Sequence, residues 1–548
     1  MTPFADLRAA LDAAVAALAD GGAPKSAPTL ERPKQAGHGD YATNAAMLLA
    51  PVLRSAPRDV AERLAGELQA RLGPALERVE VAGPGFLNLF LADAWYVAAL
   101  DGALAAGERF GGGGADPVRR VNLEFVSANP TGPLHVGHTR NAAFGDALAR
   151  ILAFRGHHVH REFYVNDHGS QIRRLGESIR ARARGEDPPE DGYVGAYVTE
   201  LAERIEGAAT LPVADVARRG VELVVERARA SLIRFRVEFD AWFSERSLHE
   251  AGGEAPSKVR HAFDVLAEQG RTYRSDGALW LRTTEFGDDK DRVLERSSGE
   301  HTYFASDIAY HQDKRERGFD LLIDVWGADH HGYVRRMHAA FEALGGAPDG
   351  LELVIMQFVH LVERGERAAM SKRRGEFVTI DELVTEIGVD AARWFLLARS
   401  HDTTIDLDLD LAREQSAENP VYYVQYAHAR IASVLRKAGE ARVAEAVAAA
   451  DTALADGVAL HPAERALVKK LLAFADEVAE AADRRAPHRI ATYALELAQT
   501  FTAFYRDCQV VGAQPRALED LRLRLCAVSR RTIARALGLL GVRAPDEM

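Results

Sequence analysis

The stretch Ser127–Leu152, SANPTGPLHVGHTRNAAFGDALARIL, decides how this chain folds. Gly132, Pro133 and Gly137 punctuate its first half. Phe144, Leu148, Ile151 and Leu152 then recur at three- and four-residue spacing, as in a helix that packs one face on a sheet. Before it VNLEFV, Val121–Val126, reads as a strand, and after it HHVHREFYV, ending at Val165, alternates as a second one. Strand, helix and strand in that order predict a parallel βαβ unit of a Rossmann-like nucleotide-binding domain. His135 and His138 fall in the first turn of the helix.

Three roles suit two histidines at that spacing. A catalytic zinc would need about four ligands, and nothing nearby supplies a convincing third and fourth, so a metal role is disfavoured. Packing is disfavoured too, because the Gly/Pro-rich surroundings make a turn and not a core face. A phosphate fits better: a helix N-terminus offers free N–H groups and a positive dipole end at the carboxyl edge of a parallel sheet. Two imidazoles there can donate hydrogen bonds to charge developing on a phosphate, and Gly137 leaves room for an adenine on bare backbone. Asn129, Thr131, Gly132 and Pro133 form the same lip. No Gly-x-x-x-x-Gly-Lys-Ser/Thr and no Gly-x-Gly-x-x-Gly after a strand occurs, which weakens kinase-like and dehydrogenase readings. A second phosphate candidate is RAAMSKRRGEF, Arg367–Phe377, with Ser371, Lys372, Arg373 and Arg374 beside Gly375. Its plain alternative is a solvated surface loop. The helix after it is marked by a Thr379/Glu382 capping box and is expected to end at Gly388, so a basic loop on a rigid helix could close over a triphosphate.

Outward from this unit the chain divides. GERFGGGGADP, Gly107–Pro117, reads as a linker. Residues 1–110 before it mix helical spacing with RVEVAGPGFLNLFL, a strand–turn–strand, and predict a small α+β domain. Residues 118–411 predict the α/β domain, with a charge-rich helical insertion at about 185–238. Strand-like GALWLRTT, FDLLIDVWG and LELVIMQFVHLV follow the insertion. Residues 412–548 predict an all-helical domain, including the biased but periodic AEAVAAADTALADG. The charge of −12 over 548 residues argues against wholesale coating of nucleic acid. From Val421 onward, however, 18 Lys/Arg stand against 15 Asp/Glu, a balance of +3 that leaves −15 for the rest. Two cysteines, Cys508 and Cys526, offer no disulfide framework and read as reduced helix residues. With no long apolar run and no basic-then-apolar leader, the expectation is a cytoplasmic protein without a membrane span. No internal repeat is visible.

The ordered pair His-Val-Gly-His and Met-Ser-Lys-Arg, with His138 and Lys372 234 residues apart, resembles the two signatures of class I aminoacyl-tRNA synthetases. Within that class the chain is similar to the arginyl-tRNA synthetases along nearly its full length. The likeness is carried by HGDYATNAA, VAGPGFLNLFL, SANPTGPLHVGHTRNA, YVNDHGSQI, LRTTEFGDDKDRVL, WGADHHGYV and ENPVYYVQYAHARI. The resemblance implies arginyl-adenylate formation from L-arginine and ATP with Mg2+, then transfer to the terminal adenosine of tRNA(Arg). It also implies activation that needs bound tRNA, no structural zinc, no editing domain, an anticodon-binding C-terminal domain, an N-terminal domain on the tRNA elbow, and a monomer. By matched position, Asn129, Glu245, Tyr303 and Asp307 bind arginine. Thr131, Gly132, Pro133, His135, Gly137, His138, Met370, Ser371, Lys372 and Arg373 bind ATP, with His135, His138 and Lys372 catalytic. Ala369 departs from the pattern, since the class usually has lysine there; Arg373, Arg374 or Lys290 would have to supply the missing contact.

Chemistry agrees with that assignment. A guanidinium calls for an otherwise unpaired acid, and such a pocket rejects neutral analogues without a second site. Asp307 suits, with Tyr303 four residues earlier on the same helix face; the bland reading is a helix-capping aspartate beside a core tyrosine. Glu245 would pair with the substrate ammonium, or be a surface glutamate beside Arg246. Asp329, His330 and His331 could touch ribose or simply shape a turn. In the last domain, Asn419 and Pro420 predict a helix start that puts Tyr422 and Tyr426 on one face above Arg430, a base-stacking pattern unless the tyrosines pack inward. Lys34, His38 and Tyr41 are candidates for RNA at the other end. Two alternatives stay open: a small-molecule adenylyltransferase, which would not need the helical C-terminus, and a non-catalytic tRNA-binding relative, against which the histidines and Lys372 argue.

Overall fold

The computed structural model describes residues 3–19, 21–33, 37–251, 255–367, 378–449 and 459–548. Its N-terminal unit packs helices Pro3–Ala19, Ala45–Leu53, Pro57–Leu72 and Asp93–Ala106 on a three-stranded antiparallel sheet whose middle strand is Phe86–Leu91. Leu87, Leu89 and Leu91 of that strand are fully buried, the period-two pattern of one face on a core.

The expected βαβ unit is present: β1 (Arg120–Glu124), α1 (Val136–Arg155) and β2 (His158–Val165), with the two strands parallel. Gly145 lets α1 lie against the strand end, because a Cβ there would meet the Phe125 ring at 2.1 Å. Three helices follow, α2 (Ser170–Ala183), α3 (Ala196–Arg204) and α4 (Val213–Arg234), around a small core of their own built from Ile172, Leu175, Val198 and Val221. Residues from about 185 to 238 thus sit within a helical block that opens with α2 at Ser170. The sheet resumes with β3 (Ala241–Ser244) and, after α5 (Tyr303–Glu316), with β4 (Leu321–Gly327), α6 (Val334–Ala343) and β5 (Leu351–Met356). Its order is β5-β4-β1-β2-β3, all parallel. Strand order reverses direction between β1 and β4, the switch point where doubly wound sheets bind ligands.

The strand read in GALWLRTT is present as Ala278–Leu281, the middle of a separate antiparallel sheet with Thr272–Ser275 and Arg292–Glu295. One strand expectation needs correcting. LELVIMQFVHLV breaks after Met356, and Val359–Glu363 enters another small sheet with Ile405–Asp408. Alternation shows that a segment is a strand, but not which sheet receives it.

The helical segment α7 (Ile380–Leu397) carries the expected Thr379/Glu382 capping box, and its first helix ends at Gly388 as expected, where φ 77° and ψ 159° are non-helical; a second helix continues from there to Leu397. Beyond it lie α8 (Pro420–Ala438), α9 (His488–Asp507), α10 (Arg516–Leu539) and shorter helices. No strand occurs after Asp408 among the described residues. Cys526 lies within α10 and Cys508 just past α9; both are buried and unpaired. Arg393, fully buried, fastens this bundle to the central domain by donating to Asp146 and to the Phe235 and Leu540 carbonyls. Among the described residues no helix is long and apolar enough to cross a membrane.

Candidate active site

All five strands of the main sheet end on one edge, and most of the candidate residues follow those ends: Asn129 to His138 after β1, Glu245 after β3, Asp329 to Tyr333 after β4. The turn after β1 is strained, with φ 69° at Val126 and 39° at Ser127. A β-branched residue adopts such a φ only when its surroundings impose it. Asn141 supplies one restraint, accepting the Val126 N–H at 2.8 Å while donating to Val325 O of β4 at 3.0 Å. Ser127 supplies the other, donating to Glu124 at 2.8 Å and accepting the Tyr164 N–H at 3.1 Å.

The two histidines close the start of α1 on themselves. His135 is the N-cap, its Nδ1 accepting the Gly137 N–H at 3.2 Å, and His138 Nδ1 accepts the His135 N–H at 3.2 Å. This is a capping box made of imidazoles in place of serine and glutamate. Since both Nδ1 atoms accept, each ring carries its proton on Nε2 and presents an N–H donor there. Burial lowers both rings' basicity, and with His135 beside it His138 is pushed down to about 3. Both are neutral donors at neutral pH. Gly137 is exposed, and an added Cβ would meet only the His135 ring.

Residues 368–377, with Ala369, Met370, Ser371, Lys372, Arg373 and Arg374, lie outside the described residues. The chain on their C-terminal side is held at the first signature: the Val136 N–H donates to Val378 O at 2.9 Å and the Ile380 N–H to Leu134 O at 3.1 Å. Lys372 is thus six residues from a backbone pairing with the histidine turn. Lys290 sits in a loop of the separate antiparallel sheet, where its carbonyl accepts from Thr283.

Beside this lip lie two acids, Glu245 and Asp307, close enough that the charge of the first raises the second. Glu245 is 4% exposed, and its Oε2 has no hydrogen-bond partner among the described residues; His249 Nε2 lies 3.8 Å from Oε1. Asp307 lies within α5, whose N-cap is Thr302, so it is not a capping residue. Its Oδ2 accepts the Tyr333 hydroxyl at 2.7 Å. Burial raises the Asp307 carboxyl above the usual range, against the pull of that hydrogen bond. Tyr164 feels both acids: burial first, then the charges of Glu245 and Asp307, raise its phenol well above the ordinary value. Tyr303 is 70% exposed in the first turn of α5 and is not the phenol that bonds Asp307.

Under α5 lies a fully buried ionic group. Lys314 Nζ donates to Glu124 at 2.6 Å and Asp324 at 2.8 Å, while His311 bridges Asp324, at 2.8 Å, and the Asp307 carbonyl, at 2.7 Å. It ties β1, β4 and α5 together through charges that would each be costly to bury alone. Asp329 and His330 are exposed and pair with each other at 3.4 Å, His331 is exposed, and the same turn delivers Tyr333.

On the helical bundle, Asn419 caps α8 at the Val421 N–H, Pro420 occupies the first turn, and Tyr422 stacks on Tyr426 with centroids 6.3 Å apart. Arg430 donates to the Tyr426 hydroxyl at 3.2 Å and lies 4.7 Å from that ring and 5.8 Å from the Tyr505 ring. Tyr426 is 42% and Tyr505 41% exposed, whereas Tyr423 turns inward to Thr502. Tyr41 must be corrected as an RNA contact: it is buried against Phe4 and Trp95, with no ring face open to a base. His38 is exposed, and Lys34 lies outside the described residues. Two contributors escaped the sequence reading. Tyr333 was inside a quoted segment, yet only the packing of α5 against the turn after β4 reveals its partner. Tyr505 shares an i, i+4 face with Phe501, a weak signal.

The family profile "Arginyl tRNA synthetase N terminal domain" matches residues 5–91. "tRNA synthetases class I (R), catalytic domain" matches 101–184 and 220–433, and "DALR anticodon binding domain" matches 424–548. An arginine–tRNA ligase of Geobacillus kaustophilus is 45% identical over 539 residues, 95% of this chain and 94% of its own. One from Listeria monocytogenes is 47% identical over 533 residues with the same coverage. The solved Thermus thermophilus arginyl-tRNA synthetase superposes with a TM-score of 0.75 at 26% identity, covering 99% of this chain and 100% of that one.

Proposed function

The chain belongs to the arginyl-tRNA synthetase family, and from that premise we propose which of its residues carry the reaction. It activates L-arginine with ATP to arginyl-adenylate, releasing pyrophosphate, and transfers arginine to the 3′-terminal adenosine of tRNA(Arg). In our reading Asp307 receives the guanidinium, held in place by Tyr333, while Glu245 receives the ammonium, with Asn129 and Tyr303 at the mouth. The observation that carries this reading is the orphaned, buried Glu245 oxygen beside an acid whose carboxyl burial has raised: two neighbouring acids short of cations. Binding an arginine would restore both charges to pairs.

ATP would lie over Gly137, along Thr131, Gly132 and Pro133. The Nε2–H groups of His135 and His138 would meet the α-phosphate as charge develops there, and Met370 to Arg373, above all Lys372, would close on the β- and γ-phosphates. Magnesium would enter this scheme with the nucleotide, as MgATP. Carboxylate attack on the α-phosphorus forms the mixed anhydride and expels pyrophosphate, which leaves as the histidines stabilise the charge. Tyr422, Tyr426, Arg430 and Tyr505 would stack anticodon-loop bases. The reading takes the enzyme as a cytoplasmic monomer that needs bound tRNA for activation.

Aminoacylation of total tRNA with each amino acid separately tests the specificity. Arginine alone is expected to charge, and arginine-dependent exchange of pyrophosphate into ATP is expected only with tRNA present. Exchange that proceeds equally well without tRNA would remove that requirement from the scheme.

A further inference from the structure

The loop between β1 and α1 is gripped at two separate points by the helical insertion. At one, Asn129 Nδ2 donates to Gln171 Oε1 of α2 at 3.1 Å, while Asn129 Oδ1 accepts from Asn166 at 3.1 Å, so the amide is fixed at both ends. At the other, the Tyr197 hydroxyl of α3 donates to the Thr131 carbonyl at 2.7 Å. The Tyr197 ring lies against the next residue, where a Cβ on Gly132 would meet it at 3.4 Å. Around Tyr197 the loop and the insertion are otherwise separated only by a small cleft of about 30 Å³ between Gly132–Pro133 and the facing sides of α3 and α4.

The gripping helices are packed against one another as one unit. Gly176 allows α2 and α4 to touch, since a Cβ there would come within 2.7 Å of Ala217, and the three helices share a hydrophobic core distinct from the main one. Close-packed interiors transmit displacement and do not absorb it. A shift of the insertion would therefore reach the loop through Gln171 and Tyr197. Those two contacts land on different ends of the substrate site.

We propose that the helical insertion is the positioning element of this loop, Gln171 setting Asn129 for arginine and Tyr197 setting Thr131 and Gly132 for ATP. The inference rests on the placement of arginine and ATP given above. Neither residue touches a reacting atom; each acts through the loop residue it holds. Tyr197→Phe keeps the ring on Gly132 and removes only the hydroxyl, and Gln171 is exposed on α2, so folding should survive both changes. One neutral hydrogen bond lost corresponds to roughly a five- to tenfold effect.

The test is steady-state pyrophosphate exchange with tRNA, varying arginine and ATP independently, for the parent, Tyr197→Phe, Gln171→Leu and Asn129→Ala. Gln171→Leu is expected to raise the KM for arginine about fivefold with the ATP KM within twofold, and Tyr197→Phe to do the reverse. A merely structural role would lower the active fraction and so kcat, leaving both KM values in place. That outcome, or equal shifts in both KM values for either variant, overturns the proposal. If Asn129→Ala raises the arginine KM while Gln171→Leu does not, the tether fails and the site reading stands. If Asn129→Ala leaves the arginine KM unchanged, the site reading fails and takes the tether with it.

Discussion

At the proposed arginine end of the site the polar groups are carboxylates on packed elements: Glu245 after β3, and Asp307 on a helix nailed to the sheet by Lys314, Glu124, Asp324 and His311. At the phosphate end they are backbone N–H groups and two neutral imidazoles at a helix start. A cation in low dielectric is recognised by fixed charge, and that charge must be held by neighbours because alone it would take up a proton or turn to solvent. At the α-phosphate, where charge develops only in the transition state, preorganised neutral donors favour that state over the ground state, while Lys372 and Arg373 would bring full charge to the β- and γ-phosphates. Burial thus acts in opposite senses at the two ends: it raises the Asp307 carboxyl and lowers both histidines.

Asp307→Asn attacks the first half of that contrast and carries the largest expected effect. An unpaired guanidinium left in the pocket should weaken arginine use by about 2–5 kcal/mol, some 30- to several-thousand-fold in kcat/KM, with ATP affinity changed little. A change below threefold would show that the guanidinium binds elsewhere. His138→Ala attacks the second half. Loss of one preorganised donor should lower kcat for pyrophosphate exchange by about 10²-fold while tRNA affinity, read by filter binding, stays put. Because His138 is held down to about 3, its protonation contributes no limb to the rate profile between pH 5 and 8. A parent limb near pH 6.5 that disappears in His138→Ala would mean the ring works as a cation.

Tyr333→Phe sharpens the comparison with a smaller effect. The hydroxyl donates to the Asp307 carboxylate and so favours its charged form. Its loss should raise the arginine KM about tenfold. The direction with pH follows: arginine needs Asp307 ionised, so affinity falls as pH drops through the already raised Asp307 value, and removing Tyr333 pushes that value higher. The acid limb of kcat/KM for arginine should therefore move to higher pH. A limb that stays in place or moves down would detach Asp307 from arginine binding.

What was legible in the sequence divides along the same line. The phosphate lip is local: His135, Gly137 and His138 lie within four residues, and strand, turn and helix around them follow from spacing alone. The arginine end is assembled from β1, β2, β3, α5 and the turn after β4, and the residues themselves left Asp307 open to a capping role; family resemblance singled it out. Tyr303 and Tyr333 illustrate the limit. Spacing of four correctly puts Tyr303 and Asp307 along one helix, but which phenol reaches the carboxylate depends on a neighbour 26 residues downstream. Tyr41 fails for a related reason: an aromatic residue states its own polarity and not what will be packed against it.

The bundle provides the smallest expected effect and a control for both ends. Tyr426 and Tyr505 are both partly exposed and lie 4.7 and 5.8 Å from the guanidinium carbon of Arg430, which groups a flat cation with two aromatic rings at one surface. Stacking on one aromatic is worth about 1–3 kcal/mol per base. Rings that share a base divide that energy, so Tyr505→Ala should raise the tRNA KM in aminoacylation only about fivefold. Arg430→Ala should do the same and also flatten the salt dependence of tRNA binding, because a cation near the backbone contributes counterion release and a phenol does not. Neither change reaches the sheet edge, so at saturating tRNA the arginine and ATP KM values should match the parent. If Tyr505→Ala shifts the arginine KM while sparing that for tRNA, the bundle acts on the pocket through Arg393 and the joint with the central domain, and stacking is not its main role.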